Sequence, residues 1–141
     1  MRLVLDTDVI VAAVRSATGA SRALLNAVAA TKAAALVSVP LFIEYEAVLR
    51  RPLLKEETGL ETAEAEEILD GLANIMTTVE IHYLWRPLLS DPFDDMVLET
   101  AVNGGAQAIV TFTARDFRDV PGTFGISVLA PSAALRDVRS T

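Results

Sequence analysis

Residues 2–5 form a short, mostly apolar run of strand length, and the polar triplet Asp6-Thr7-Asp8 separates it from a second apolar stretch at 9–14. The pattern predicts strand, polar turn, helix. Gly19-Ala20-Ser21 then punctuates the chain, and Ser21 is placed to cap a helix running to Thr31, with Leu24, Leu25 and Val28 as its apolar stripe. Residues 34–38 read as a second strand. Pro40 suits a first helical turn, so the next helix is expected to run to about Arg50 and stop before Pro52.

Residues 55–59 are polar and read as a connector, whereas 62–74 interleaves Ala63, Ile68, Leu69 and Leu72 with acids, the mark of an amphipathic helix. The β-branched stretch 77–81 predicts a third strand. In Ser90-Asp91-Pro92-Phe93-Asp94 the chain carries a helix start, with Asp91 as N-cap, Pro92 at the first helical position and Asp94 at the third. That helix is expected to end near Gly104-Gly105. A fourth strand at 108–111, a polar loop through Asp119, a last strand at 126–129 and a terminal helix at 132–138 complete the pattern. Strands alternating with helices predict an α/β fold, a parallel sheet covered on both faces, and ligands in such sheets bind beyond the carboxyl ends of the strands. The polar residues just after each strand are therefore the ones that matter.

At 141 residues and 52% hydrophobic content the chain is expected to form one compact domain over its whole length, 1–141. No apolar run approaches the roughly 20 residues of a membrane-spanning helix, and the opening segment lacks the long apolar stretch and cleavage site of a secretory signal. With no cysteine there are no disulfides or thiolate metal sites; the cytoplasm is the default compartment and no membrane partner is expected. The net charge of −7 argues against bulk electrostatic capture of nucleic acid. Carboxylates gathered around divalent cations would nevertheless inflate the formal charge while leaving an occupied site far less negative.

Asp6 directly follows the first strand, Asp95 lies in the first turn of a helix, and Asp116 follows the strand ending at Thr111 by a few residues. These three acids are expected to converge on one edge of the sheet. Carboxylates without His or Cys favour Mg²⁺ or Mn²⁺ over zinc, and a hard cation there could lower the pKa of a water and stabilise charge on a phosphodiester. No rival nucleophile system is visible, since His82 is the only histidine and no Gly-x-Ser-x-Gly turn occurs.

Leu3-Val4-Leu5-Asp6-Thr7-Asp8-Val9, the later Asp91-Pro92-Phe93-Asp94-Asp95, and Val110-Thr111-Phe112-Thr113-Ala114-Arg115-Asp116-Phe117 together resemble the PIN-domain family over nearly the whole chain. The best-matching branch is that of the toxin components of bacterial toxin–antitoxin pairs, often called VapC-like. The resemblance implies a three-layer α/β/α fold around a mainly parallel five-stranded sheet. It also implies an acidic pocket binding Mg²⁺ or Mn²⁺ and metal-dependent cleavage of RNA by an activated water. By motif, Asp6, Asp95 and Asp116 would hold the metal and Glu44 would orient or deprotonate the water. Asp8, Asp91, Asp94, Thr111 and Thr113 would stand around them as supporting or structural residues. Such toxins are usually homodimers silenced by a small cognate antitoxin that covers the pocket, so both partners are expected. Two departures are visible: Asp8 stands where the family usually has Asn or Ser, and Thr113 where it frequently has Asp or Asn.

Each residue also has a plainer reading. Asp6 and Asp8 could be turn or N-cap residues, and Asp91 and Asp94 are well explained as a cap and a first-turn acid favoured by the helix dipole. Glu44 and Glu46 lie at opposite edges of the stripe made by Leu41, Val48 and Leu49, so periodicity does not choose between them; the family pattern favours Glu44. Glu64, Glu66 and Glu67 read as a solvated face, and His82 and Trp85 as packing residues. Arg50 and Arg115 are candidates for RNA phosphates, with Arg51 and Arg118 behind them, and surface ion pairs explain all four equally well.

Asp6-Thr7-Asp8 with Asp94-Asp95 is also similar to the acidic pairs of haloacid-dehalogenase-like phosphatases. That family needs a strand-end Ser or Thr and then a Lys before the late pair, whereas Thr111 comes after Asp95 and the only lysines are Lys32 and Lys55. A phospho-receiver domain would want a late lysine as well. The remaining alternative is a catalytically silent binding module that uses its acids to hold a partner's arginine or a scaffold metal.

Overall fold

The computed structural model describes residues 1–84, 89 and 91–140. Its five strands, β1 (Arg2–Leu5), β2 (Ala34–Val37), β3 (Thr77–Thr78), β4 (Ala108–Val110) and β5 (Ser127–Leu129), form one sheet in the order β3-β2-β1-β4-β5. Every pairing is parallel. The helices among the described residues are α1 (Thr7–Arg15), α2 (Ala20–Ala29), α3 (Val39–Leu49), α4 (Pro52–Thr58), α5 (Thr62–Ile75), α6 (Pro92–Gly104), α7 (Val120–Phe124) and α8 (Pro131–Arg139). α1, α2 and α8 pack together, as do α3, α5 and α6, which gives the expected three-layer α/β/α arrangement.

β1 is the central strand, and Leu3, Val4 and Leu5 are wholly buried because helices cover both faces of the sheet. Its register against β4 pairs Leu5 with Val110, and the next backbone amide, Asp6 N–H, donates to the Val110 carbonyl at 2.9 Å. The first residues beyond the two neighbouring strands, Asp6 and Thr111, are thereby set side by side. α6 ends where Gly105 takes a left-handed conformation (φ 63°) that glycine adopts without a Cβ clash. Gly104 has a different reason to be glycine, since a Cβ there would come within 2.8 Å of Leu36 and Val79 side chains.

Several boundaries differ from those predicted. α1 begins at Thr7, so the polar triplet is a cap and first turn rather than a separate turn. The cap of α2 is Gly19; Ser21 lies inside the helix and is buried, and the helix stops at Ala29, before Thr31 with its φ of 60°. Residues 55–58 of the predicted connector are helix: Pro52 supplies a pre-set first turn, Leu54 is buried, and Gly59 ends the helix as its cap in the left-handed conformation. In α5 the buried face is Ala65, Leu69 and Leu72, not Ala63, after a capping box between Glu61 and Glu64. β3 covers only Thr77–Thr78 of the predicted 77–81, because its partner β2 stops at Val37 and Ser38 becomes the N-cap of α3. Residues 114–117 of the predicted polar loop form a 3-10 turn that buries Phe117. Trp85 and Ser90 lie outside the described residues. Among those described, no helix is long and apolar enough to cross a membrane.

Candidate active site

A cleft of about 650 Å³ opens at the carboxyl ends of β1 and β4, lined by Asp6, Asp8, Glu44, Asp91, Asp94 and Asp116 together with Arg15, Arg51, Phe93, Phe112 and Thr113. Asp6 forms its floor. The side chain caps α1 by accepting Thr7 N–H at 2.8 Å, and its second oxygen accepts the Thr111 hydroxyl at 2.8 Å. Burial raises the Asp6 pKa, the bonds from Thr111 and Thr7 oppose that rise, and the nearby charges of Asp116 and Asp91 add to it.

Asp8, one helical step on, accepts Phe112 N–H at 3.1 Å through Oδ2, with the Thr111 hydroxyl 3.4 Å away. Its Oδ1 is buried and has no hydrogen-bond partner among the described residues. Burial and the Asp6 charge push its pKa up to about 6. Thr111 ties this corner together, since its hydroxyl also accepts Thr113 N–H at 3.0 Å. It is a fully buried hydroxyl at a strand end, and its side chain touches both aspartates because the β1–β4 register puts it there.

Asp91 caps α6 by accepting Phe93 N–H at 2.9 Å. Asp94, in the first turn of that helix, faces the cleft, and its pKa is pushed up to about 7 by burial first and then by Asp6, Asp91, Asp116 and Asp8. Asp95 does not line the cleft. Successive helical residues are turned by about 100°, which carries the Asp95 carboxylate into the protein, where it is 2% exposed and accepts Leu89 N–H at 2.9 Å. The acid that α6 presents to the cleft is Asp94.

Glu44 also reaches the cleft, where Arg51 lies 3.7 Å from its carboxylate; Glu46 turns away and pairs with Arg50 at 3.3 Å. Asp116 stands exposed on the 3-10 turn at the rim. Neither Arg50 nor Arg115 lines the cleft: Arg50 is held between Glu46 and Glu66, and Arg115 is exposed on the 3-10 turn. The cations that do line it are Arg51 and Arg15, the latter paired with Glu57 of α4.

Tyr45 is the residue that pattern reading passed over. It is fully buried on α3 and donates its hydroxyl to the Leu5 carbonyl, directly beneath Asp6, and burial reinforced by the Asp6 charge raises its pKa. A polar tip on an otherwise apolar helix stripe was the available signal.

Among the described residues no three carboxylates stand close enough together to enclose a metal ion as placed; the acids ring the cleft rather than meet at a point. The donor set is nevertheless all oxygen, and the buried, partnerless Asp8 Oδ1 leaves an acceptor open beside it. An all-oxygen donor set without His or Cys suits a hard divalent cation better than zinc.

The PIN domain family model matches residues 2–115, which takes in Asp6, Glu44 and Asp94 and stops one residue short of Asp116. This chain belongs to the PIN-domain family. Among solved structures, this PIN domain is similar to one described as the crystal structure of VapBC2 from Rickettsia felis bound to a DNA fragment from their promoter. The TM-score is 0.64 at 15% identity, over 91% of this chain and 97% of that one. At that identity the likeness is one of fold. No curated protein sequence matches the chain.

Proposed function

We propose that residues 1–141 form a single nuclease domain, a metal-dependent endoribonuclease acting as the toxin of a toxin–antitoxin pair. The observation that carries this reading is the crowding of five aspartates and Glu44 into one cleft at the carboxyl ends of β1 and β4, with carboxyls there pushed up to about 6 and 7 by burial and one another's charge. Such mutual repulsion is what a divalent cation relieves.

Asp6, Asp94 and Asp116 are the proposed holders of Mg²⁺ or Mn²⁺, with Asp94 taking the place that the sequence pattern assigned to Asp95. When bound, the cation supplies an acidified water and offsets charge on the phosphodiester. Glu44, on the cleft wall, would be placed to accept a proton from that water. Its neighbour Arg51 is then available to a substrate phosphate, as is Arg15 across the cleft. Thr111 keeps Asp6 aimed by donating to the oxygen that Thr7 leaves open.

RNA incubated with the purified protein and Mn²⁺ tests the reading. Cleavage is expected, with loss in Asp6→Asn and in Asp94→Asn; cleavage that persists in both variants would sink the assignment. If the wild-type protein cleaves no RNA, the silent binding module becomes the better reading. The likeness to the VapBC2 structure from Rickettsia felis supports a cognate antitoxin for this chain too; that the antitoxin covers the cleft belongs to this proposal. A homodimer is part of the same proposal, and light scattering at micromolar concentration that finds only monomer removes it.

A further inference from the structure

The cleft holds a pair of groups for which carboxylate chemistry has no use. Of the five phenylalanines in the chain, the two that are exposed are Phe93 at 49% and Phe112 at 56%, and both line this cleft. Leaving large rings in water forgoes the favourable burial that Phe117 achieves in full. The two are held by the cleft itself: each donates its backbone N–H to an acid of the site, Phe93 to Asp91 and Phe112 to Asp8. Phe93 sits in the first turn of α6 beside Asp94, and Phe112 follows Thr111 at the end of β4. Two independent elements therefore present a ring at fixed backbone positions around one acidic floor.

We propose that Phe93 and Phe112 are stacking platforms for unpaired nucleobases. This rests on the nuclease reading for its ligand. Stacking is an attraction that the acids of the cleft do not oppose, because every base has a π-face and none is charged. In a duplex those faces are covered by neighbouring pairs, so a rigid double helix offers the rings nothing, whereas a loop or unpaired strand can turn a base onto each. The rings set which nucleotides sit across the floor; Arg15 and Arg51 take the flanking phosphates.

The test is binding of a short single-stranded RNA carrying one 2-aminopurine, in Ca²⁺ so that binding is read apart from turnover. The fluorescence of the probe is expected to fall as it stacks. Phe112→Ala and Phe93→Ala should each weaken binding about tenfold and restore the fluorescence, Phe112→Tyr should retain both signals, and the same sequence as a blunt duplex should bind weakly and identically to all variants. Both side chains are exposed, so their truncation leaves the core intact; circular dichroism checks this. The inference is overturned if the alanine variants bind the single strand like the wild type, if the duplex binds as well as the single strand, or if the wild type binds no RNA. Cleavage in Mn²⁺ judges the nuclease reading separately: stacking without cleavage removes that reading and leaves the platform, and cleavage indifferent to both rings does the reverse.

Discussion

Two hollows of similar size are built on different elements of this protein and differ in almost everything else. The first, about 550 Å³, is a seam between α2 and α8 lined by Ala23, Ala27, Leu135 and Val138, with Lys32 and Arg139 at its edges and no acid. The second, about 650 Å³, is the cleft above β1 and β4, with its six carboxylates. Volume does not distinguish them; position does. The seam is where two amphipathic helices meet imperfectly. At the cleft, two adjacent parallel strands stop together, and the first polar residues after them have no choice but to be neighbours.

The largest effect should come from charge removal at the cleft floor. Asp6→Asn is expected to abolish RNA cleavage in a Mn²⁺ assay, whereas Lys32→Ala and Arg139→Ala in the seam should leave the rate unchanged. If the seam variants also lose activity, the contrast between the hollows breaks. Next comes the pair on α6: Asp94→Ala should also abolish cleavage while leaving the fold intact, and Asp95→Ala should retain chemistry but lower stability by about 1 kcal/mol, measured by urea unfolding, because Leu89 N–H loses its acceptor. Thr111→Val should cut Mn²⁺ affinity about tenfold by calorimetry, since Asp6 then loses the donor that aims it. Tyr45→Phe should cost about 1 kcal/mol of stability through the Leu5 carbonyl left unpaired beneath the site.

The smallest effect is a dependence on pH. Asp8 and Asp94 have folded-state pKa values raised to about 6 and about 7, above the ordinary carboxylate value, so the folded protein binds more protons than the unfolded chain between those limits. Their contribution is fully present below the unfolded pKa and is lost as pH rises through the folded one. Without divalent cations the melting temperature should therefore fall by a few degrees from about pH 4 to pH 7. Asp94→Asn should flatten most of that slope, and saturating Mn²⁺ should reverse it. A slope of the opposite sign would show that the cleft carboxylates are not crowded as described.

Much of the fold was legible in the chain, because strand–helix alternation and turn chemistry are local. Residues 2–5, Pro40, Asp91-Pro92 and Gly104-Gly105 each announced an element through its own neighbours. The misread parts were those where a partner decides. α4 is helical on the strength of one buried leucine and a closing glycine, and β3 is short because β2 ends first.

The same division runs through the site. The sequence alone determined that acids follow β1 and β4 and cap α6, and that no cysteine or late lysine competes with them, His82 being the sole histidine. Only the tertiary structure decided which residue of a neighbouring pair lines the cleft: Asp94 and not Asp95, Arg51 and not Arg50, and it puts there the Glu44 that the family pattern favoured over Glu46. Adjacent residues carry nearly identical sequence signals, but a helix turns them by about 100°, and which one meets the cleft depends on how that helix is packed against the sheet. Thr111 and Tyr45 are tertiary in the same sense. A strand-end threonine and a helical tyrosine are ordinary in sequence, and their connection to Asp6 exists because parallel register and helix packing bring residues distant in the chain within hydrogen-bonding reach.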